Sequence, residues 1–251
     1  MKRNCVKVLR NARREIKATK CSLTENRNGA AMAPELIIFD CDGVLIDSET
    51  LSLRALLETL TLIHGVTLTM QDVMSRFMGK SEAFEIADLE AKNGIKVSDE
   101  YLAKKKQRRL QLFEESLVPL PGITALLDTM PMKKCVASSS VPERLQHSLE
   151  LVGLWDRLAP HIFSSTQVKN GKPAPDLFLF AAQQMQTPTS ACLVIEDSVA
   201  GVRAAKAANM RVYGFIGGTH CDAAHGDLLR QEGAEAVFAH MDEIAEALRD
   251  C

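Results

Sequence analysis

The sequence lacks the features that would place it among membrane, repeat or metal-cluster proteins. No uninterrupted apolar run approaches the ~18 residues that a membrane-spanning helix needs, and no internal repeat or low-complexity segment is present. The seven cysteines contain no Cys-x-x-Cys spacing, so the sequence gives no zinc or redox motif of that type. Three of them, Cys41, Cys135 and Cys192, lie in or beside predicted core strands, as free thiols do in a reducing compartment. We therefore expect a cytoplasmic protein with no membrane partner.

What is present is an ordinary globular composition with an uneven distribution of charge. The 251 residues are 46% hydrophobic and 25% charged. That is enough to bury a full core, either as one domain or as one domain with an insertion. Residues 1–31 carry nine lysines and arginines against two glutamates, a net charge of +7. The remainder of the chain is acidic, with a net charge of −9.

The basic N-terminal segment allows several interpretations. A basic arm binds nucleic acid or acts as an organelle transit peptide, but the acidic body argues against nucleic acid as a partner. We interpret residues 1–34 as a disordered tail, or as the product of an upstream start codon with Met32 as the true initiator. Removing residues 1–31 is then expected to leave activity unchanged. The sequence does not fix the oligomeric state, and we expect a monomer or a small homo-oligomer.

The strongest local signal is a short apolar run that ends in two aspartates. Residues 36–39 read Leu-Ile-Ile-Phe and are followed by Asp40, Cys41, Asp42 and Gly43. Such a run is typical of a buried strand in a parallel sheet. Active sites of open α/β sheets lie at the carboxyl ends of their strands. Because burying unpaired carboxylates is costly, we expect a cation beside them, most simply Mg²⁺ together with a phosphate group.

The rest of the chain alternates between strands and helices, apart from one helical block. Helical periodicity over residues 50–66, 81–92 and 100–115 predicts an all-helical insertion spanning residues 50–116. Beyond it, strands are predicted at 134–137, 161–164, 192–195, 211–215 and 236–238, and helices at 123–130, 142–151, 174–186, 199–208, 222–232 and 242–249. This alternation indicates an α/β fold with a doubly wound parallel sheet. Its core would comprise residues 35–49 and 117–251.

Three further motifs fall at predicted strand ends or helix starts. Ser138, Ser139 and Ser140 precede a helix, where hydroxyl and backbone N–H groups bind anions, although such a run also serves simply as an N-cap. Lys172 lies in a proline-rich turn and is either a phosphate-binding charge or a solvated surface lysine. The pair Glu196-Asp197 ends a second apolar strand. With the first aspartate pair it would form an oxygen-rich cation site suited to Mg²⁺.

In this order, the four motifs resemble those of the haloacid dehalogenase superfamily over about residues 35–250. The helical insertion is similar to the C1-type cap of the subfamily that contains β-phosphoglucomutase and phosphoglycolate phosphatase. Within that subfamily the sequence looks most like the 6-phosphogluconate phosphatase-like group of sugar-phosphate phosphatases. The resemblance implies a Mg²⁺-dependent phosphatase that hydrolyses a small phosphorylated sugar, sugar acid or sugar alcohol.

The resemblance also implies a role for each motif residue. Asp40 would attack phosphorus and form an aspartyl-phosphate, and Asp42 would act as general acid and then as general base. Ser138, with neighbouring groups such as Ser139, would bind the phosphoryl oxygens, and Lys172 would neutralise charge. The Mg²⁺ ligands implied are the Asp40 carboxylate, the backbone carbonyl of Asp42, Asp197 and, directly or through a second shell, Glu196.

Substrate selection is expected to come from the cap. Residues 76–81 read Arg-Phe-Met-Gly-Lys-Ser and match the specificity loop of such caps, so Arg76, Gly79, Lys80 and Ser81 are predicted substrate contacts. A solvated helix–helix turn is the alternative interpretation of this segment.

A sugar-phosphate mutase is the alternative function, although mutases of this subfamily carry a histidine where this sequence has Ser52. The segment 217–222, with His220, Cys221 and nearby His225, suggests soft-metal ligation. Its spacing matches no recognised zinc pattern, and we predict a surface loop.

Overall fold

A computed structural model of the chain describes residues 33–79 and 82–249. Its strands are β1 (Leu36–Phe39), β2 (Lys133–Ser138), β3 (Ile162–Ser164), β4 (Cys192–Glu196), β5 (Arg211–Phe215) and β6 (Ala236–Phe238). Its α-helices are α1 (Glu49–His64), α2 (Met70–Phe77), α3 (Glu82–Asn93), α4 (Asp99–Ser116), α5 (Ile123–Thr129), α6 (Pro142–Leu151), α7 (Trp155–Leu158), α8 (Asp176–Gln184), α9 (Val199–Ala207), α10 (Ala223–Gln231) and α11 (Met241–Arg249). The N-terminal tail prediction and the predicted contacts Lys80 and Ser81 lie outside the described residues.

The strands form one parallel sheet in the order β3-β2-β1-β4-β5-β6. In the register of this sheet, Ile38 of β1 lies opposite Cys135 of β2 and Val194 of β4. The chain winds outward from β1 to β3 and then crosses back to begin the other half at β4. Ligands of open α/β sheets bind where the strand order reverses. That point is the carboxyl edge of β1 and β4, and the predicted α/β class is confirmed.

Side chains alternate between the two faces of the sheet and bury two separate cores. Ile37, Phe39 and Ile195 belong to one cluster, which α5, α6 and α11 cover. Ile38 and Val194 belong to the other cluster, which α8, α9 and α10 cover. Because both faces are buried, the strands read as continuous apolar runs rather than as alternating ones. This burial fixes the ends of β1 and β4 side by side.

The helices between β1 and α5 bury an apolar cluster of their own. Leu56 and Leu60 of α1 and Tyr101 of α4 are almost completely buried in it. The three predicted helices of this block are confirmed as α1, α3 and α4. Helix α2 was not predicted, and it begins at a capping box formed by Thr69 and Asp72. None of the helices in the described part of the chain is long and apolar enough to cross a bilayer.

Candidate active site

The first aspartate, Asp40, directly follows the last residue of β1. Its backbone N–H donates to the Ile195 carbonyl of β4 at 3.0 Å, so β1 and β4 stay paired up to the site. The chain then turns back, with Gly43 at φ +79° donating to the Ile46 carbonyl at 2.8 Å. A Cβ at Gly43 would lie 2.0 Å from Asp197 Oδ2. Glycine is therefore required here both for its backbone angle and for the close approach of the carboxylate.

Lys172 joins the first and last motifs. Its Nζ donates to Asp40 Oδ1 at 2.6 Å and to Glu196 Oε2 at 2.7 Å. The lysine side chain is 4% exposed, and despite the cost of burial the two carboxylates raise its pKa. The other Glu196 oxygen accepts from the N–H and the hydroxyl of Ser198, at 3.0 and 2.7 Å. Lys172 is thus a fixed cation at the reacting end of Asp40.

Three buried carboxylates lie together here, and Lys172 pairs with two of them, Asp40 and Glu196. Ligand oxygens of Asp40, Glu196 and Asp197 all lie within 4.8 Å of one another. Burial raises the pKa of Asp40, and the charge of Glu196 adds to it. Burial and Glu196 likewise raise the pKa of Asp197. One lysine leaves the charge of three carboxylates only partly compensated, and a hard divalent cation such as Mg²⁺ stabilises such a cluster of oxygen ligands, so the residues fit that ion.

Asp42 faces a different set of partners from Asp40. Ser48 Oγ and Arg144 Nη2 donate to its Oδ1 at 2.5 and 2.6 Å, and Ser140 Oγ donates to its Oδ2 at 2.7 Å. Burial alone would raise the pKa of Asp42, but the Arg144 charge and the two hydroxyls outweigh it and lower the pKa. Asp42 is therefore held as a carboxylate. Its predicted metal contact, through the backbone carbonyl, stays a prediction.

The serine run closes the site on the β2 side. Ser138 is the last residue of β2, is 1% exposed, and accepts at Oγ from the Ser140 N–H at 3.1 Å. The carbonyls of Ser139 and Ser140 accept from the hydroxyls of Ser165 and Ser164, at 3.0 and 2.7 Å. Bonds to the segment that follows β3 therefore fix the backbone of the run. The run leads through Val141 to the N-terminus of α6, and the N-terminal end of a helix favours anions.

The predicted cap contacts are dispersed in the structure. Arg76 lies in the last turn of α2, and its Nη2 donates to Asp88 at 2.5 Å and to Asn93 at 2.8 Å. This guanidinium joins α2 to α3, so a substrate role for Arg76 stays a prediction and would require it to leave these partners. Gly79 follows α2 at φ +64°.

Two arginines beside Asp42 were not predicted from the sequence as site residues. Arg144 lies in α6, and Arg109 lies in α4 of the insertion. The Nε of each is buried without a hydrogen-bond partner among the described residues. Burial lowers the pKa of Arg109, and the charge of Arg144 lowers it further. The two guanidinium groups form a positive patch between α4 and α6.

The segment 217–222 is a loop, as predicted, with Thr219 and Asp222 exposed. The His220 side chain departs from this surface position: it is 4% exposed, and its Nε2 lies 2.8 Å from Asp197 Oδ2. His225 Nε2 lies 2.5 Å from the Asp197 backbone oxygen. Because β5 neighbours β4 in the sheet, the segment after β5 reaches the same edge as Asp197. That neighbourhood follows from the strand order rather than from any local spacing.

Comparison with known proteins identifies relatives over most of the chain. Residues 34–209 match the model of the haloacid dehalogenase-like hydrolase family. The 6-phosphogluconate phosphatase of Escherichia coli K12 is 32% identical over 190 residues, which cover 74% of this chain and 84% of that protein. The Protein SUPPRESSOR OF QUENCHING 1, chloroplastic, of Arabidopsis thaliana is 36% identical over 77% of this chain, which spans 19% of that longer protein.

A solved structure agrees with these relatives. A conserved haloacid dehalogenase-like protein of unknown function from Agrobacterium tumefaciens str. C58 superposes with a TM-score of 0.77 at 34% identity. The match covers 86% of this chain and 97% of that one. Together with the family match and the site geometry, it establishes that this chain belongs to the haloacid dehalogenase-like hydrolases.

Proposed function

We propose that this chain is a Mg²⁺-dependent phosphatase that hydrolyses a small phosphorylated sugar, sugar acid or sugar alcohol through an aspartyl-phosphate. The observation that carries the proposal is the position of Asp40, which lies at the strand-order switch point with Lys172 at 2.6 Å and Asp197 in the same carboxylate cluster. A carboxylate with a fixed cation and a cation site beside it is equipped to attack phosphorus. The name of the Escherichia coli relative supports the substrate class.

In the first step, an oxygen of Asp40 forms a bond to phosphorus while the bond from phosphorus to the substrate oxygen breaks. Protonated Asp42 donates its proton to that leaving oxygen. Lys172 and Ser138 bind the phosphoryl oxygens. Asp40, Asp197 and the Asp42 carbonyl, with Glu196 as a direct or outer ligand, would hold Mg²⁺, whose positive charge would shield the nucleophile from the phosphate and stabilise the transition state.

In the second step, water attacks the aspartyl-phosphate and the bond from phosphorus to Asp40 breaks. Ionised Asp42 takes the proton from that water. The hydrogen bonds from Ser48, Ser140 and Arg144 hold Asp42 in this ionised form. These contacts support Asp42 as the general base of the second step. For the first step, Asp42 must gain a proton.

Arg109 and Arg144 support a substrate with a second anionic group. Both guanidinium groups retain a buried, unpartnered Nε among the described residues. A carboxylate or second phosphate between them would accept hydrogen bonds from both and relieve their mutual repulsion. A sugar-acid phosphate carries such a group, and a neutral sugar phosphate does not.

A sugar-phosphate mutase would differ in its product and in its activator. It would need a bisphosphate activator and would release little free phosphate. In this chain the position that carries a histidine in such mutases is Ser52, in α1, whose hydroxyl is buried without a partner in the described region. A serine is a poor proton-transfer group at neutral pH, which favours the phosphatase.

The location of the protein belongs with these proposals. The described cysteines, Cys41, Cys135, Cys192 and Cys221, are all free thiols, which supports a reducing compartment such as the cytoplasm. A chloroplast protein among the relatives makes an organelle the alternative.

The test is phosphate release from a panel of sugar, sugar-acid and polyol phosphates, with Mg²⁺ and with EDTA. We expect Mg²⁺-dependent release, and loss of at least ~10³-fold in kcat for Asp40→Asn because no other carboxylate occupies its position. Asp128→Asn is the control, since Asp128 pairs with Arg157 on the surface. Release that survives in Asp40→Asn would refute the nucleophile. If no phosphate is released, but a sugar monophosphate is converted when a sugar bisphosphate is added, the protein is a mutase.

A further inference from the structure

The segment between β5 and α10 brings a nitrogen and a sulfur ligand onto Asp197. His220 Nε2 lies 2.8 Å from Asp197 Oδ2, and Cys221 Sγ lies 3.1 Å from the same nitrogen. Ligand atoms of the three residues all fall within 4.8 Å of one another. Neither His220 nor Cys221 has a role in the proposed hydrolysis.

Hydrogen bonds use this arrangement incompletely, and His220 Nδ1 is buried without a partner among the described residues. An imidazole nitrogen has either one proton or one lone pair in the ring plane, so it makes one strong hydrogen bond. Two polar atoms nevertheless lie within 3.1 Å of His220 Nε2. In either tautomer, Asp197 and Cys221 compete for the one proton or the one lone pair of this nitrogen. A cation between the three atoms would bind a lone pair of each.

The backbone makes room for the imidazole. A Cβ at Gly43 would lie 2.8 Å from His220 Cε1, and a Cβ at Gly218 would lie 2.6 Å from Cε1 and Nδ1 of the same ring. Side chains at either position would expel the histidine from the site. The ring is therefore seated in a cradle formed by the turn after β1 and by its own loop.

Other contacts tether the loop on both sides of the cluster. The N–H and hydroxyl of Thr219 donate to Asp47 Oδ1 at 3.2 and 3.0 Å. Asp222 caps α10 by accepting from the His225 N–H at 2.8 Å. His225 in turn contacts the Asp197 backbone oxygen. The three ligand atoms are therefore held in place before any ion binds.

The surrounding charge favours a cation. Asp197 contributes a carboxylate to the cluster, and Asp47 and Asp222 lie on the contacts that hold the loop. A neutral nitrogen, a sulfur and a carboxylate oxygen are a Zn²⁺ donor set rather than a Mg²⁺ one.

We propose that Asp197, His220 and Cys221 form a second cation site, for a thiophilic divalent ion such as Zn²⁺, which shares Asp197 with the proposed Mg²⁺ site. Binding releases the thiol proton to solvent and leaves a fourth position open for water. Because both ions use Asp197, Zn²⁺ at this site weakens Mg²⁺ binding and inhibits hydrolysis. The inhibition rests on the proposed function, whereas the binding does not.

Cobalt provides the direct test, because a cysteine thiolate bound to Co²⁺ gives an intense near-ultraviolet charge-transfer absorption. Full-length protein titrated with Co²⁺ is expected to show this band, and Cys221→Ser is expected to lack it. Cys192→Ser is the matched control, since Cys192 is buried in β4 and donates to the Pro188 carbonyl, a bond that a hydroxyl also makes. No band in the wild type, or a band that persists in Cys221→Ser, would overturn the proposal.

Calorimetry and inhibition separate the site from the phosphatase. With saturating Mg²⁺, Zn²⁺ is expected to bind wild type at least ~10-fold more tightly than Cys221→Ser or Cys221→Ala. Relative to each variant's own Mg²⁺-dependent rate, Zn²⁺ should inhibit the variants less. Equal inhibition of all forms would assign Zn²⁺ to the Asp40 carboxylate cluster and refute the shared site. If no substrate is turned over, the cobalt band still decides the site independently.

Discussion

Arg144 Nη2 lies 2.6 Å from Asp42 Oδ1, although 102 positions separate the two residues in sequence. The contact joins α6 to the turn after β1 and holds the proposed acid–base residue as a carboxylate. It is a partly buried charge pair whose energetic contribution depends on the ionisation of Asp42. Its effect on stability is therefore predictable as a function of pH.

Arg144→Gln is expected to destabilise the protein at pH 7 by ~1–3 kcal/mol, as loss of a hydrogen bond to a charged group does. The folded pKa of Asp42 is lowered, so its stabilising contribution is present above the unfolded value of ~3.9 and is lost as pH falls through the folded pKa. The gap between wild type and Arg144→Gln should then close only below about pH 4. Urea unfolding of both proteins over a pH series measures it, and a gap independent of pH would contradict the assignment.

The carboxylate cluster gives the opposite pH dependence in metal-free protein. The folded pKa values of Asp40 and Asp197 are raised, so the folded state binds more protons than the unfolded state above ~3.9. Stability in EDTA should therefore fall as pH rises from that value through the raised pKa values. Mg²⁺ should restore most of the stability that is lost in this way, contributing ~2.7 kcal/mol at a hundredfold excess over its Kd.

Thermal unfolding with EDTA and with Mg²⁺ across this pH range measures both effects. Asp197→Asn removes one of the clustered charges and should flatten the EDTA curve as well as the Mg²⁺ response. A Mg²⁺ response that is unchanged in Asp197→Asn would place the ion elsewhere.

Gly201 sets how closely α9 approaches Glu196. A Cβ at this position would lie 1.9 Å from Glu196 Cδ, so Gly201→Ala must displace the carboxylate and its bond to Lys172. In an unobstructed helix the same change stabilises by up to ~1 kcal/mol. We expect instead lower stability and at least ~10-fold weaker apparent Mg²⁺ affinity, read from the Mg²⁺ dependence of phosphate release. Ala200→Gly is the control in the same helix, and equal behaviour of the two variants would exclude the steric explanation.

The sequence predicts well what local burial determines. β1 and β4 are enclosed on both faces, so their apolar runs identify them, and the paired acids at their ends mark the switch point. Helix α2 is short and has two buried residues, Val73 and Phe77, which is too little periodicity to distinguish it from a loop. The capping box at Thr69 was the available signal.

The sequence predicts poorly what depends on contacts between distant segments. Arg76 carries the right charge for a substrate contact, but its partner Asp88 lies on the next helix and becomes visible only once α2 and α3 pack. Arg144 lies shortly after the serine run, and the start of α6 gives no local sign that it reaches Asp42. His220 reaches Asp197 because β5 lies next to β4, a fact of topology rather than of spacing.

Arg109 and Arg108 offer a matched pair for testing substrate choice. They are adjacent in α4, but Arg108 pairs with Glu58 at 2.5 Å, whereas the Arg109 Nε has no hydrogen-bond partner among the described residues. If Arg109 binds a second anionic group, Arg109→Gln should raise KM for sugar-acid phosphates by ~10-fold, the equivalent of about 1.4 kcal/mol. Neutral sugar phosphates, which lack that group, should be affected little.

The measurement is kcat and KM for one sugar-acid phosphate and its neutral counterpart, in wild type, Arg109→Gln and Arg108→Gln. A loss confined to Arg109→Gln and to the anionic substrate supports recognition by charge, because a general disturbance of α4 would affect both substrates and both variants. If kcat/KM falls equally for the two substrates, Arg109 has a structural role and does not bind the anionic group. Arg76 would then be the next candidate for the second anionic contact, and Asp88→Asn, which removes its charged partner and leaves its bond to Asn93, is the variant that tests it.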